Sequence, residues 1–218
     1  KGAVSSLRRV LGSNDDEEEV RRLPATGLAN LGNTCFLSAA VQCLSHAPIL
    51  RAYCLSDMYV QDINRTSRLG SQGRVVEAFS DLLRQLHASQ VCVRPEHFKK
   101  ILGKCKPQFS GSEQQDSQEF LAEMLDLLHE DVNRVVDKPY VESLETIGMP
   151  DKDAAVASWT KHLQRHDSVI VDHCQGMYRS HVTCPDCGHE SVKYDVYSMI
   201  PLPLASGKKD GQPASLMD

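Results

Sequence analysis

The feature that most constrains this chain is a cysteine, Cys35, that stands directly before an amphipathic helical pattern. After it, apolar residues recur at helical spacing, at Phe36, Leu37, Ala40, Val41 and Leu44. This period predicts a helix with one face on a core, with Cys35 in its first turn and Asn33 or Thr34 as its N-cap. A helix N-terminus favours an anion, so we expect this thiol to lose its proton more readily than a free cysteine. Cys35 is therefore a candidate nucleophile, and the alternative is a small buried apolar residue.

The composition is that of an ordinary globular chain, with 218 residues, 41% hydrophobic residues, 24% charged residues and a formal net charge of −5. The acidic balance, and basic residues that form no stripe along the sequence, give no reason to expect nucleic acid as a partner. No apolar run reaches the roughly 20 residues of a membrane span, so we expect no membrane partner. The spacing of the eight cysteines argues against a disulfide framework and predicts an intracellular, reducing location, cytoplasmic or nuclear.

The pattern along the chain changes from helical to β, which predicts an α+β fold. Helical periodicity covers residues 74–87, about 95–103, about 115–134 and 152–166. Residues 169–171 predict a short apolar strand, and alternating residues in 177–183 and 191–199 predict a hairpin. Residues 1–25, with the acidic run 15–19, are predicted to be a linker. Residues 205–218 are predicted to be the start of a flexible insertion or linker.

A pair of cysteines, Cys184 and Cys187, stands at the tip of the predicted hairpin. Two thiolates separated by two residues form half of a tetrahedral zinc site, and the glycine after them lets backbone N–H groups turn toward sulfur. We therefore expect a structural zinc half-site, whose alternatives are an empty knuckle or two free thiols. Further ligands within the chain are available at His173, Cys174, His181 and His189. A second hairpin is the more usual source of the other ligands.

Two segments resemble a known family. The run from Gly27 to Leu44 is similar to the cysteine box of the ubiquitin-specific proteases, which are thiol proteases with a papain-like arrangement of Cys, His and Asp or Asn. Residues 113–121, which contain Gln114-Gln115-Asp116, resemble the second box of that family, and the two boxes occur in the family's order. The resemblance implies a papain-like cysteine protease fold with a helical thumb in residues 26–137 and the start of the β fingers and palm in 138–204.

The resemblance also implies roles for individual residues. It implies that Cys35 is the nucleophile and that the side-chain amide of Asn30 stabilises the oxyanion. It further implies that Asp116, Gln118 and Glu119 contact the substrate, in the channel that receives the extended C-terminal tail of ubiquitin. Carboxylates there suit a tail rich in arginine, because charge-assisted hydrogen bonds are stronger than neutral ones.

The implied function is that of a thiol-dependent deubiquitinase, which hydrolyses the isopeptide or peptide bond at the C-terminal glycine of ubiquitin. The implied partners are ubiquitin, ubiquitinated proteins and a C-terminal half of the catalytic domain. None of the nine histidines lies in anything like the family's histidine box, and the resemblance covers residues 26–204, so we expect the chain to be an incomplete catalytic half that is inactive alone. The alternatives are a non-catalytic ubiquitin-binding or scaffold module and a zinc-ribbon interaction protein.

Overall fold

The computed structural model describes residues 26–89, 91–142 and 149–202. In these ranges eight α-helices precede a two-stranded antiparallel sheet, which confirms the α+β class. The elements are α1 (Cys35–Ser45), α2 (Pro48–Leu55), α3 (Tyr59–Asp62), α4 (Arg74–Ala88), α5 (Glu96–Cys105), α6 (Ser117–Asp131), α7 (Asp151–Leu163), α8 (Val169–Cys174), β1 (Gly176–Thr183) and β2 (Glu190–Tyr197), with a 3-10 turn at Pro107–Phe109. The predicted linkers at 1–25 and 205–218 lie outside the described residues.

The core is formed by the apolar faces that the sequence predicts. Helix α1 packs on α2 and α6, and α4 packs on α2, α5 and α6. Three aromatic rings join α1, the 3-10 turn and α6. The centroid of the Phe36 ring lies 5.2 Å from that of Phe120, in an edge contact, and 5.9 Å from that of Phe109. All three side chains are buried. This contact fixes the starts of α1 and α6 next to each other.

The helices at 74–87, 95–103, 115–134 and 152–166 are confirmed as α4, α5, α6 and α7, with ends that differ by up to three residues. Helix α2 was not predicted from the sequence, because proline is common just after the end of a helix. In the structure Pro48 is the first residue of a new helix. Proline suits that position, since its missing N–H has no partner within a first turn.

The prediction of a strand at 169–171 is wrong, because these residues begin helix α8. All three apolar side chains are buried, so they carry no alternation from which strand and helix could be told apart. The preceding residue decides the outcome. The Ser168 hydroxyl accepts a hydrogen bond from the backbone N–H of Val171 at 3.2 Å and so caps the helix.

The predicted hairpin is confirmed, with a register that runs from Gly176 opposite Tyr197 to Thr183 opposite Glu190. It is attached to the start of α7 through Asp151. The Tyr194 hydroxyl donates to the Asp151 carboxylate at 3.1 Å, and Arg179 Nε lies 3.0 Å from the same carboxylate. Among the described residues, no helix has the length and apolar character to cross a membrane.

Candidate active site

The loop before α1 is held in shape by one side chain, Asn30. Its Oδ1 accepts hydrogen bonds from the backbone N–H of Gly32 at 2.9 Å and of Thr34 at 3.1 Å, and from the Thr34 hydroxyl at 3.2 Å. Gly32 and Asn33 have positive φ angles of 102° and 52°, which turn the chain tightly into the helix. Thr34 takes the N-cap position, although its hydroxyl bonds back to the loop rather than to the helix.

This segment carries both Cys35 and Asn30, which are five residues apart in the sequence. Cys35 is the first residue of α1, and both side chains are exposed. Because the Asn30 Oδ1 is engaged with the loop, the Nδ2 group remains as a hydrogen-bond donor, and no described residue accepts a bond from it. An exposed thiol at a helix N-terminus has the chemistry to attack a carbonyl, and a free amide donor has the chemistry to stabilise an oxyanion.

The second predicted segment lies beside the cysteine loop. The Asn33 Nδ2 donates to the carbonyl of Ser112 at 2.9 Å, and the contact between Phe36 and Phe120 joins the first turns of α1 and α6. The structure therefore brings the two segments together.

The side chains of Asp116, Gln118 and Glu119 are all exposed at the start of α6. Asp116 is the N-cap of this helix, because its Oδ1 accepts from the backbone N–H groups of Gln118 at 2.7 Å and Glu119 at 3.0 Å. Glu119 Oε1 accepts from Gln108 at 3.2 Å. The second carboxylate oxygens of Asp116 and Glu119 remain available to a ligand, so a structural role for Asp116 does not prevent a binding role.

In the described ranges the Cys35 thiol makes no hydrogen bond, to a histidine or to any other side chain. His46 lies at the opposite end of α1 and its Nδ1 is 2.7 Å from the carbonyl of Gln42. The helix between them is 11 residues long, about 16 Å at 1.5 Å per residue.

The hairpin tip has the local geometry of a zinc knuckle. The backbone N–H of Gly188, a residue with a φ of 67°, donates to the Cys184 carbonyl at 3.0 Å, and the Cys184 N–H donates to the His189 carbonyl at 2.9 Å. Backbone N–H groups of Cys187 and Asp186 bond to the Cys184 sulfur and hold the pKa of this thiol below its ordinary value. This donor set fits two ligands of a zinc ion.

None of the other ligands considered within the chain, at His173, Cys174, His181 and His189, forms a close group of ligand atoms with the two thiols in the described structure. In the described part of the chain, the one group of three or more side chains placed close enough to hold a metal lies elsewhere. His181 is on β1, where its Nε2 is 3.4 Å from Glu190 Oε2.

That other group, which sequence reasoning did not identify, consists of His129, Glu130 and His166. His129 Nε2 is 3.1 Å from His166 Nδ1, and His129 Nδ1 is 2.8 Å from the Ser168 hydroxyl. Glu130 forms an ion pair with Lys138 at 2.5 Å. Each of the three residues already has a protein partner, so the cluster joins α6 to the segment before α8 and has a structural role.

The family is shown by comparison with known proteins. A family model described as ubiquitin carboxyl-terminal hydrolase matches residues 26–204. The putative ubiquitin carboxyl-terminal hydrolase 11 of Arabidopsis thaliana is 49% identical over 183 residues, which are 84% of this chain and 20% of that protein. Ubiquitin carboxyl-terminal hydrolase 15 of Homo sapiens is 44% identical over 184 residues, or 84% of this chain and 19% of that protein. The chain thus spans about a fifth of the length of these relatives.

Solved structures support the fold. The SAGA Ubp8/Sgf11/Sus1/Sgf73 DUB module bound to ubiquitin aldehyde matches with a TM-score of 0.54 at 20% identity, over 81% of this chain and 34% of the matched one. A complex of such a module with monoubiquitin matches with a TM-score of 0.53 over the same share of this chain. The cysteine loop, the neighbouring start of α6 and these matches together show that the chain belongs to the ubiquitin carboxyl-terminal hydrolase family and forms part of its catalytic domain.

Proposed function

We propose that the protein containing this chain is a thiol-dependent deubiquitinase that hydrolyses the isopeptide or peptide bond after the C-terminal glycine of ubiquitin. The observation that carries the proposal is the exposed Cys35 at the first position of α1, in a loop where Asn30 is fixed through its Oδ1 and keeps its Nδ2 as a donor. The location that we infer is a reducing compartment, because all eight cysteines are free thiols.

In the proposed reaction the Cys35 thiolate attacks the carbonyl carbon of the scissile bond. A carbon–sulfur bond forms, and the negative charge that develops on oxygen is stabilised by the Asn30 Nδ2 group. The carbon–nitrogen bond then breaks, and an imidazole that the described residues do not supply protonates the departing lysine amine. Water hydrolyses the thioester and releases the ubiquitin carboxylate together with the free thiol.

The tail of ubiquitin would lie along the start of α6. Asp116 and Glu119 present carboxylate oxygens there, and Gln118 is exposed between them. These groups suit a basic extended segment, since hydrogen bonds between guanidinium and carboxylate groups are strong and directional. Their position beside the cysteine loop supports a channel that leads to Cys35.

The experiment treats the full-length protein with a ubiquitin probe that carries a thiol-reactive C-terminus. Cys35→Ala is expected to abolish labelling, whereas Cys43→Ala, which changes another exposed cysteine of α1, is expected to leave it intact. Labelling of the Cys35→Ala protein would refute the assignment of the nucleophile.

Asn30→Asp provides a second test, because it retains the Oδ1 acceptor that holds the loop and replaces the amide donor by a carboxylate. We expect turnover of a ubiquitin amide substrate to fall by about 10²- to 10³-fold, while the far-UV circular dichroism and the folded state are preserved.

The alternative function is a non-catalytic ubiquitin-binding module. One observation favours it, namely that no described side chain hydrogen-bonds the Cys35 thiol. Measurable ubiquitin affinity of the full-length protein without labelling or turnover would support this alternative. We expect the 218-residue chain by itself to show no turnover, because a base must be supplied from elsewhere.

We also propose that Cys184 and Cys187 bind a structural zinc ion together with ligands outside the described residues. The hydrogen bonds from backbone N–H groups to the Cys184 sulfur support thiolate ligation. Elemental analysis of the full-length protein is expected to find zinc that is lost in Cys184→Ser. The matched control is Cys92→Ser, at an exposed thiol far along the sequence from the hairpin. Equal zinc content in all three proteins would refute this site.

A further inference from the structure

A basic groove lies between α5 and the cysteine loop. It has a volume of about 490 Å³, and its walls include Arg94, Lys99, Lys100, Lys104 and one anion, Glu96. Three lysines and one arginine therefore lie together here, although the chain as a whole is acidic and its basic residues form no stripe along the sequence. Lysines 99, 100 and 104 lie on one side of α5 because their spacing is one and four residues, and Arg94 joins them from the segment before the helix.

The charges in the groove are not neutralised within the described structure. Arg94 Nη2 is 2.7 Å from Glu96 Oε1, so these two side chains pair with each other. Lys99 Nζ donates to the carbonyl of Gly111 at 2.6 Å, which fixes its position without removing its charge. Lys100 and Lys104 are exposed, and no described carboxylate forms an ion pair with either. The groove therefore presents net positive charge to solvent.

The groove shares its walls with the candidate active site. Leu31, four residues before Cys35, and Ser110 both line it. Gly111, which accepts from Lys99, is followed by Ser112, whose carbonyl accepts from Asn33 of the cysteine loop. An occupant of the groove would therefore contact the loop that leads to Cys35, the proposed nucleophile.

The charge of the groove is opposite to that of the proposed tail site. A basic tail suits the carboxylates of Asp116 and Glu119 and is repelled by a cluster of lysines. Hydrolysis of an isopeptide bond involves a second participant, the protein whose lysine is released. Resting on the proposed function, we propose that the basic groove binds an acidic segment of the ubiquitin-bearing protein, close to the modified lysine.

An acidic peptide fits the groove better than a nucleic acid does. The net charge of −5 on the whole chain disfavours a long polyanion, whereas a short acidic segment meets the local field of the groove. No aromatic side chain is among the residues that line it, so bases would find no stacking surface.

The experiment uses the full-length protein and two conjugates, in which ubiquitin is joined by an isopeptide bond to a peptide with four glutamates, or with four glutamines, next to the lysine. We expect KM for the glutamate conjugate to be about five- to tenfold lower, because only a few ion pairs form and each is weak where both partners are exposed to water. The double variant Lys100→Glu/Lys104→Glu is expected to lose or reverse this ratio. Arg68→Glu/Lys152→Glu makes the same change in net charge at exposed positions outside the groove and is expected to keep it.

The outcomes separate this inference from the proposed function. Failure of the wild-type protein to cleave ubiquitin with a small amide leaving group would refute the proposed function. Cleavage of that substrate with equal KM for the two conjugates, or an unchanged ratio in Lys100→Glu/Lys104→Glu, would refute the inference alone. Competition by a single-stranded oligonucleotide that disappears in the Lys100→Glu/Lys104→Glu variant would also overturn it, in favour of nucleic acid. If KM differs between the two conjugates only after the acidic residues 15–19 are neutralised, the groove is occupied by the chain's own acidic run.

Discussion

Asp131 is a buried residue that holds a helix other than its own. It ends α6, but its carboxylate accepts hydrogen bonds from the backbone N–H of Ser71 at 2.6 Å and from the N–H groups of Val75 and Val76 at 3.2 Å. These last two N–H groups belong to the first turn of α4, whose N-cap, Gly73, has no side chain. The missing cap is thus supplied by Asp131, more than 50 residues away, together with the Ser71 hydroxyl, which accepts from the Val75 N–H at 2.7 Å.

We expect Asp131→Ala to lower the free energy of unfolding by about 3 kcal/mol or more, because several buried donors lose a charged acceptor at once. Asp131→Asn retains one carbonyl oxygen and should show a smaller loss. Urea unfolding of the chain measures both. The control is Asp81→Ala on the exposed side of α4, where an ion pair with Arg84 is lost and less than about 1 kcal/mol is expected. Equal effects at the two positions would contradict the capping role.

The sequence makes Cys35, Asn30 and Asp116 candidate site residues because their signals are local: a residue type before a helical period, and two short segments of familiar pattern. Asp131 gives no such signal. An acidic residue at the C-terminal end of a helix is unfavourable for its own helix, and its partners at Ser71 to Val76 are distant in sequence. Interactions of this kind depend on how helices pack, which periodicity does not reveal.

At the scale of elements, the start of α4 depends on a backbone conformation that glycine alone adopts easily. Gly73 has a φ of 89°, and a Cβ there would lie 2.6 Å from Ile63 Cγ2 and 3.0 Å from an Arg65 guanidinium nitrogen. We expect Gly73→Ala to destabilise the chain by about 2–3 kcal/mol through the left-handed conformation and crowding. Urea unfolding measures this loss. We expect a lower midpoint and no change in the slope of the unfolding free energy against urea concentration.

Gly111→Ala is the matched control for Gly73→Ala. Gly111 does not have a positive φ, and the nearest atom to an added Cβ, the Glu113 nitrogen, is 4.0 Å away. Gly111→Ala should therefore change the free energy of unfolding of the chain by less than about 0.5 kcal/mol. If both glycines tolerate alanine equally, backbone strain does not determine where α4 begins.

Elements with a clear period were predicted well, and those without one were not. Helices α4 and α6 each bury one face, so their apolar residues recur at helical spacing. Residues 169–171 are buried on every side, and Ser168 rather than the pattern of apolar residues makes them helical. The basic groove was missed for a related reason, because Arg94 and α5 form it only together with Leu31 and Ser110.

At the scale of the whole molecule, buried histidines tie the later part of the chain to the helical core. His129 on α6 contacts His166 and Ser168, which precede α8, and the His166 ring stacks on His162 at 4.8 Å. Burial lowers the pKa of His129. Burial, followed by the proximity of His162 and His129, lowers the pKa of His166 to about 4. The positive charge of Lys138 also lowers the pKa of both histidines. The negative charge of Glu130 raises the pKa of both, and that of Asp167 raises the pKa of His129.

These shifts predict that the folded chain is sensitive to acid. A histidine whose pKa is lower in the folded state binds a proton more readily when unfolded, so its contribution to stability is full above the unfolded value of about 6.5 and is lost as the pH falls toward 4. Asp126 and Asp172, whose pKa values burial raises above 3.8, act in the opposite direction at the acidic end of this range. The loss should therefore be clearest just below pH 6.5. His166→Gln should flatten the fall of the urea midpoint with pH, whereas the exposed His97→Gln should not. If the urea midpoint of His166→Gln falls with pH as steeply as that of the wild-type chain, the cluster does not couple folding to pH.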